Sequence, residues 1–318
     1  MATAFLFPGQ GSQAVGMGKA LADGFAEARA VFQDVDAALG QDLSTLMFEG
    51  PEDQLTLTAN TQPALMAVSL AATKALASKG VTVAKHADYL AGHSLGEYSA
   101  LAAGGAFDIP TAAKLLRTRG DAMQSAVPVG EGAMAAVLNL DLIAVEEIAA
   151  KAAQMGEPGD VCQAANDNAP GQVVISGSKA AVERAIELAK EAGARRAILL
   201  PVSAPFHCAL MAPAADVMRG ALASAVVQQP AKPVVANVIA SPITEPDAIR
   251  ARLVEQVTGR VRWRESVEWM AANGVDTFIE IGAGKALSGM IKRMVDGATI
   301  LNVATPDDVD RVADHLAR

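Results

Sequence analysis

An α/β protein, with a parallel-sheet core and a small inserted βαββαβ domain, is the fold this sequence predicts. Short apolar strands run into glycine-rich turns and then helices, at AFLFPGQG (4–11) and ADYLAGHSLG (87–96), which is the repeating unit of a parallel sheet. Between residues 129 and 200 the pattern becomes strand, helix, strand, strand, helix, strand, and closes on itself. Of the 318 residues 51% are hydrophobic, enough for the buried core of roughly two domains.

The elements follow in order. AFLF (4–7) is an apolar strand that ends at Pro8 and opens the glycine-rich loop PGQGSQAVGMG. KALADGFAEARAVFQDVDAAL has helical periodicity, and TQPALMAVSLAATKALASKG (61–80) reads as a long buried helix closed by Gly80. ADYLAGHS is a strand running into a tight turn, GEYSALAAGG begins the next helix, and TAAKLLRTRGDAMQSA (111–126) is another. From PVGEGAM (128–134) the reading is strand AMAAVLNL, helix DLIAVEEIAAKAAQ, strand VCQAAND, turn NAPG, strand QVVISGS, helix KAAVERAIELAKEAG and strand RRAILLPV. That order is the ferredoxin-like one. Residues 129–200 are therefore expected to form an inserted domain, with 1–128 and 201–318 building the larger one. The larger fold resumes at SAPFHC (203–208), and a late strand, TFIEIGAG (277–284), leads into the helix KALSGMIKRMV.

A net charge of −9 argues against bulk nucleic-acid binding while permitting local basic patches. Cys162 and Cys208 have neither metal-ligand spacing nor the density of a secreted scaffold, so a reduced, cytoplasmic protein without a metal is expected. The start MATAFLFPGQG lacks the basic region of a signal peptide. The apolar stretch LMAVSLAATKALA is broken by Ser69, Thr73 and Lys74, short of the roughly 20 residues of a membrane span.

Gly92-His93-Ser94-Leu95-Gly96 matches G-x-S-x-G. Such a turn lifts a serine hydroxyl out between strand and helix, where the next amide, that of Leu95, faces an oxyanion forming on a substrate. The same pentapeptide fits a plain glycine turn with an exposed serine. A nucleophilic serine needs a base. His86 and His315 read as surface residues, and His93 abuts the serine with its side chain directed away, as a structural histidine. His207, after a strand end, is left as the base or as a satisfied loop histidine. No Asp or Glu precedes it at a strand end, although Asp216 follows. A backbone carbonyl can orient the ring instead, which suits a substrate carrying its own carboxylate.

Arg119 lies on the apolar face of its helix with Leu115, Leu116 and Met123, whereas Arg117 does not. A buried guanidinium calls for a carboxylate, either a substrate's or an internal Asp or Glu. In PGQGSQ, the Gln10 amide is the candidate second oxyanion donor. GAGKALSG (282–289) lacks the P-loop spacing and the full dinucleotide fingerprint, so no nucleotide site is expected there.

As an ordered set, FPGQGSQ (7–13), TQPAL (61–65), GHSLGEYSAL (92–101), Arg119-Gly120, NAPGQVVISG (168–177), PVSAPFHC (201–208) and LVEQVTGRVRW (253–263) resemble the malonyl-CoA:acyl carrier protein transacylase family over nearly the whole chain. The resemblance implies a hydrolase-like α/β core with an inserted ferredoxin-like domain. It implies ping-pong transfer of malonyl from malonyl-CoA to the phosphopantetheine thiol of acyl carrier protein through a malonyl-serine, with no permanently bound cofactor. By the same resemblance Ser94 is the nucleophile, His207 its base and Arg119 the partner of the malonyl carboxylate. The Gln10 and Leu95 amides form the oxyanion hole, the Gln256 backbone carbonyl holds His207, and Phe206 excludes an α-methyl branch. Where the family often has Gly-Pro-Gly, this chain has Gly282-Ala283-Gly284, which bears only on the stiffness of a loop near the cleft.

An acidic enzyme meets an acidic carrier through a local basic patch, for which Lys285, Lys292 and Arg293, with Arg195 and Arg196, are candidates. The rival readings are a serine esterase or thioesterase with the same turn, a non-enzymatic carrier-docking module, and an acyltransferase serving a polyketide synthase. Nothing in the sequence requires more than a monomer.

Overall fold

The computed structural model describes residues 2–202 and 204–317. Among these the strands are β1 (Ala2–Phe7), β2 (Tyr89–Gly92), β3 (Gly132–Leu138), β4 (Cys162–Ala169), β5 (Gln172–Ser178), β6 (Arg196–Leu199), β7 (Val234–Ala236), β8 (Ser241–Ile243), β9 (Val275–Ile281) and β10 (Thr299–Val303). They form two sheets.

The larger sheet has the order β10-β9-β1-β2-β7-β8. The first five strands are parallel, and β8 runs antiparallel to β7. The expected parallel core did not include this edge strand. Residues 237–240 are too short a link for a parallel crossover, so the chain doubles back. Both faces of β1 are buried, and the period of two divides its side chains. Phe5 and Phe7 pack with the helices Ala26–Leu39, Thr58–Ser78 and Ile109–Ser125, while Ala4 and Leu6 pack with Trp263, Met270 and Leu287 on the other side.

The smaller sheet is antiparallel, in the order β4-β5-β3-β6, the ferredoxin-like arrangement expected. Its helices, Leu142–Gln154 and Lys179–Glu191, share with it a separate core of Val137, Val145, Val173, Ile175 and Val182. β4 is tied to the segment before the helix Trp263–Ala272, where the Asp167 amide donates to Val261 O at 2.9 Å and the Val261 amide to Ala165 O at 2.9 Å. Arg264 pairs with Asp167 beside them.

Three elements are shorter than their sequence patterns. RRAILLPV contributes only β6, an edge strand whose Ile198 and Leu199 are 48% and 47% exposed, so its apolar run does not mark a buried strand. KALSGMIKRMV is helical over Ala286–Ile291 only, because the chain must turn there to enter β10. The first helical pattern splits at Phe25, whose backbone is extended, into Lys19–Gly24 and Ala26–Leu39. Among the described residues no helix is long and apolar enough to cross a membrane.

Candidate active site

β1 and β2 are neighbours with Phe7 opposite Gly92, so the loops leaving them, which carry Gln10 and Ser94, rise side by side at the carboxyl edge of the sheet. Ser94 joins β2 to the helix Leu95–Ala103 at φ 54° and ψ −112°, a conformation unfavourable for any residue with a Cβ. The flanking glycines make it possible. A Cβ on Gly92 would strike the backbone of Gly96, and one on Gly96 would strike the Phe7 carbonyl. Asn237 clamps the turn: its Oδ1 accepts from the Ser94 amide at 2.8 Å and its Nδ2 donates to Gly92 O at 2.7 Å. Leu95 is the first residue of its helix, where an amide has no acceptor in a preceding turn.

His207 comes from 113 positions further along the chain. Its Nε2 lies 2.8 Å from Ser94 Oγ. Its Nδ1 lies 2.9 Å from Gln256 O and 3.1 Å from Gly259 O. Both carbonyls only accept, so Nδ1 carries the proton and the Nε2 lone pair faces the hydroxyl. Burial, then the charge of Arg119, pushes the His207 pKa down to about 3, so the ring is neutral. The loop carrying it follows β6 of the antiparallel sheet, not a strand of the parallel one as the sequence suggested. Asp216 is turned to Arg219 on an exposed helix face, and the place of a third carboxylate is taken by the two carbonyls.

The other histidines lie away from the hydroxyl's partners. His93 Nε2 is 2.8 Å from Asn168 Oδ1 and its ring lies beside Trp263. His86 Nδ1 meets the Thr82 backbone, and His315 is in the last turn of the helix Pro306–Leu316.

Arg119 is 1% exposed. Its Nη1 donates to Gln62 Oε1 at 2.9 Å, and its Nη2 donates to Gln256 Oε1 at 2.8 Å and to Ser94 Oγ at 3.1 Å. The guanidinium also lies over the Tyr98 ring, 5.7 Å from its centroid. Each of these partners is neutral, and among the described residues Arg119 makes no ion pair. An internal salt bridge, left open by the sequence, is therefore not its role. Arg117 instead reaches Asn60 and Gln41.

Gln10 is half-buried and its Nε2 reaches Thr58 Oγ1 at 3.3 Å. Phe206, adjoining His207, is packed into the main core. A cavity of about 500 Å³ opens beside His207 and is lined by Gln163, Thr258, Gly259 and Arg260 among others. No group of three or more metal-ligating side chains occurs among the described residues.

Five residues of this cluster went unnoticed in the sequence reading: Gln62, Glu97, Asn237, Gly259 and the side chain of Gln256. Gln62 and Glu97 lie within quoted motifs, but nothing linear tells which way a side chain points. Asn237 left no signal.

The chain belongs to the acyl transferase domain family, whose model matches residues 4–308. Within it the chain is 46% identical to the malonyl CoA-acyl carrier protein transacylase of Bacillus subtilis over 307 residues, 96% of this chain and 95% of that one. It superimposes with a TM-score of 0.97 on the acyl-carrier-protein S-malonyltransferase of Bartonella henselae, at 53% identity and with full coverage of both chains. A malonyl-transacylase solved in complex with a type II PKS acyl-carrier protein matches with a TM-score of 0.95 at 42% identity, covering 99% of this chain and 100% of that one.

Proposed function

We propose that the chain is a malonyl-CoA:acyl carrier protein S-malonyltransferase, acting through a Ser94–His207 dyad and a malonyl-serine intermediate. The observation that carries this reading is the contact of Arg119, buried and without an ion pair among the described residues, with the Oγ that also meets His207. A nucleophile with a cation beside it is suited to an acyl group that ends in a carboxylate.

Neutral His207 accepts the Ser94 proton as Oγ attacks the thioester carbonyl. The amides of Leu95 and Gln10 take the oxyanion. CoA leaves with the proton from His207, and the carrier thiol repeats the sequence in reverse. Pairing of the malonyl carboxylate with Arg119 offsets the charge that depresses His207, so this substrate strengthens the base that serves it. The ring of Phe206 stands against an α-branched acyl group. Residues 129–200 act as an inserted domain on the catalytic unit of 1–128 and 201–318, and the free, buried Cys162 and Cys208 are in keeping with a cytoplasmic protein.

The partner is an acidic carrier protein meeting exposed Lys285, Lys292, Arg293, Arg195 and Arg196. Register supports one patch: Arg293 donates to Gln172, Gln172 is opposite Leu138, and Leu138 is opposite Arg196. Mass spectrometry after brief exposure to malonyl-CoA tests the proposal. A malonyl increment on Ser94 that is discharged by carrier thiol and persists in water is expected, and no increment, or rapid loss to water as in a thioesterase, refutes it.

A further inference from the structure

Glu97 is wholly buried in the first turn of the helix behind Ser94, and no step above uses it. Its Oε2 accepts from the Asn237 amide at 3.1 Å and from Gln256 Nε2 at 2.7 Å, while Oε1 has no hydrogen-bond partner among the described residues. Gln256 Nε2 also donates to Ser94 O at 3.0 Å, and its Oε1 accepts from Arg119. The main-chain oxygen of the same residue holds His207. Gln256 thus touches the nucleophile, the base and the carboxylate-binding arginine.

A side-chain amide can be turned end for end with little change of shape. Turned, Gln256 would present N–H groups to a guanidinium that has only donors. Glu97 forbids this. An ionised carboxylate only accepts, so with the Ser94 carbonyl, also acceptor-only, it selects the NH₂ end of Gln256 and leaves the oxygen for Arg119.

We propose that Glu97 is a positioning residue whose carboxylate sets the direction of the Gln256 side chain, and through it holds Arg119 aimed at the malonyl carboxylate and Ser94 in its strained turn. This inference rests on the malonyl-transfer reading. Glu97 is also the counter-charge of Arg119 at one remove: it favours a charged guanidinium in a buried site yet accepts none of that guanidinium's N–H groups itself.

Burial raises the Glu97 carboxyl to about 7, against hydrogen bonds from Gln256 and Asn237 and the charge of Arg119, which favour ionisation. Arg119 and Tyr98 are the titratable groups bearing on it, and Gln256 and Asn237 are neutral. Once protonated, Glu97 gains a donor and stops selecting one end of the amide, which leaves only the weaker hold of the Ser94 carbonyl and Arg119 on its direction. Malonyl transfer therefore rises with pH through about 7.

The test is kcat/KM for malonyl-CoA from about pH 5 to about pH 8.5 in the full chain, Glu97→Gln and Glu97→Asp, with thermal melts alongside. The unmutated chain should lose activity below this ionisation and level off on the order of tenfold lower, while His207, near 3, titrates outside the range. Glu97→Gln should lose that acid limb and fall on the order of tenfold at high pH, the scale of one charge-assisted hydrogen bond. Glu97→Asp, still acceptor-only, should keep the limb. A flat profile for the unmutated chain overturns the proposal whether or not the variants fold, and so does a folded Glu97→Gln with the limb and rate intact. An unmutated chain that takes no malonyl group at any pH is a different result, the failure of the functional reading itself.

Discussion

Truncation of Arg119 to alanine separates its two tasks. In the free protein the change deletes the bonds to Gln62 Oε1, Gln256 Oε1 and Ser94 Oγ, a loss felt by every acyl donor. The pair with a substrate carboxylate is an additional loss suffered by malonyl alone. For a desolvated charge pair with one partner removed, that additional loss is about 3–4 kcal/mol, or roughly 10²–10³ in rate. A neutral acyl donor escapes it. It also gains, because removing the cation relieves His207 of the second cause of its depressed pKa. The assay is rapid-quench acylation of Ser94 by malonyl-CoA and acetyl-CoA in both proteins, with folding checked by thermal melting. The malonyl-to-acetyl ratio of kcat/KM should collapse by roughly 10²–10³. Equal loss for both donors would refute the carboxylate-binding role and leave Arg119 as a prop for the elbow.

Three further outcomes are expected. Gly96→Ala drives a Cβ into the Phe7 carbonyl, and should cost about 3 kcal/mol in urea unfolding together with the acylation burst; a stable, active variant would show the elbow can relax. The His207 pKa lies below its unfolded value of 6.5, at about 3. Its stabilising effect is therefore complete above about pH 6.5 and is lost as pH falls toward about 3, by ~1.4 kcal/mol per unit. Unfolding curves of the unmutated chain and His207→Asn should diverge across that window, and parallel curves would contradict the burial argument. Reversing charge at Lys285 and Lys292 should raise KM for carrier protein and not for malonyl-CoA; unchanged carrier kinetics would remove this patch from the docking surface.

The sequence by itself determined the elements and the chemistry that lies along one stretch of chain. Period-two and helical patterns are local, so the alternation of strand and helix, the βαββαβ order and the buried face carrying Arg119 were legible. The glycine pair was legible too, because backbone crowding at Ser94 arises from residues only two positions away. Element lengths were not, since β6 is an edge strand and the helix after Lys285 stops where the chain must turn to enter β10, both consequences of packing. Only the tertiary structure decided how the parts meet. It brings Ser94 and His207 within hydrogen-bond distance, gives the imidazole two carbonyls instead of a carboxylate, and leaves Arg119 without an ion pair among the described residues. It also decided the direction of the Gln256 amide, which depends on acceptor-only neighbours 159 and 162 positions away. Hydrogen bonds and electrostatic fields act through space, and no pattern along the chain records which distant donor will face which acceptor.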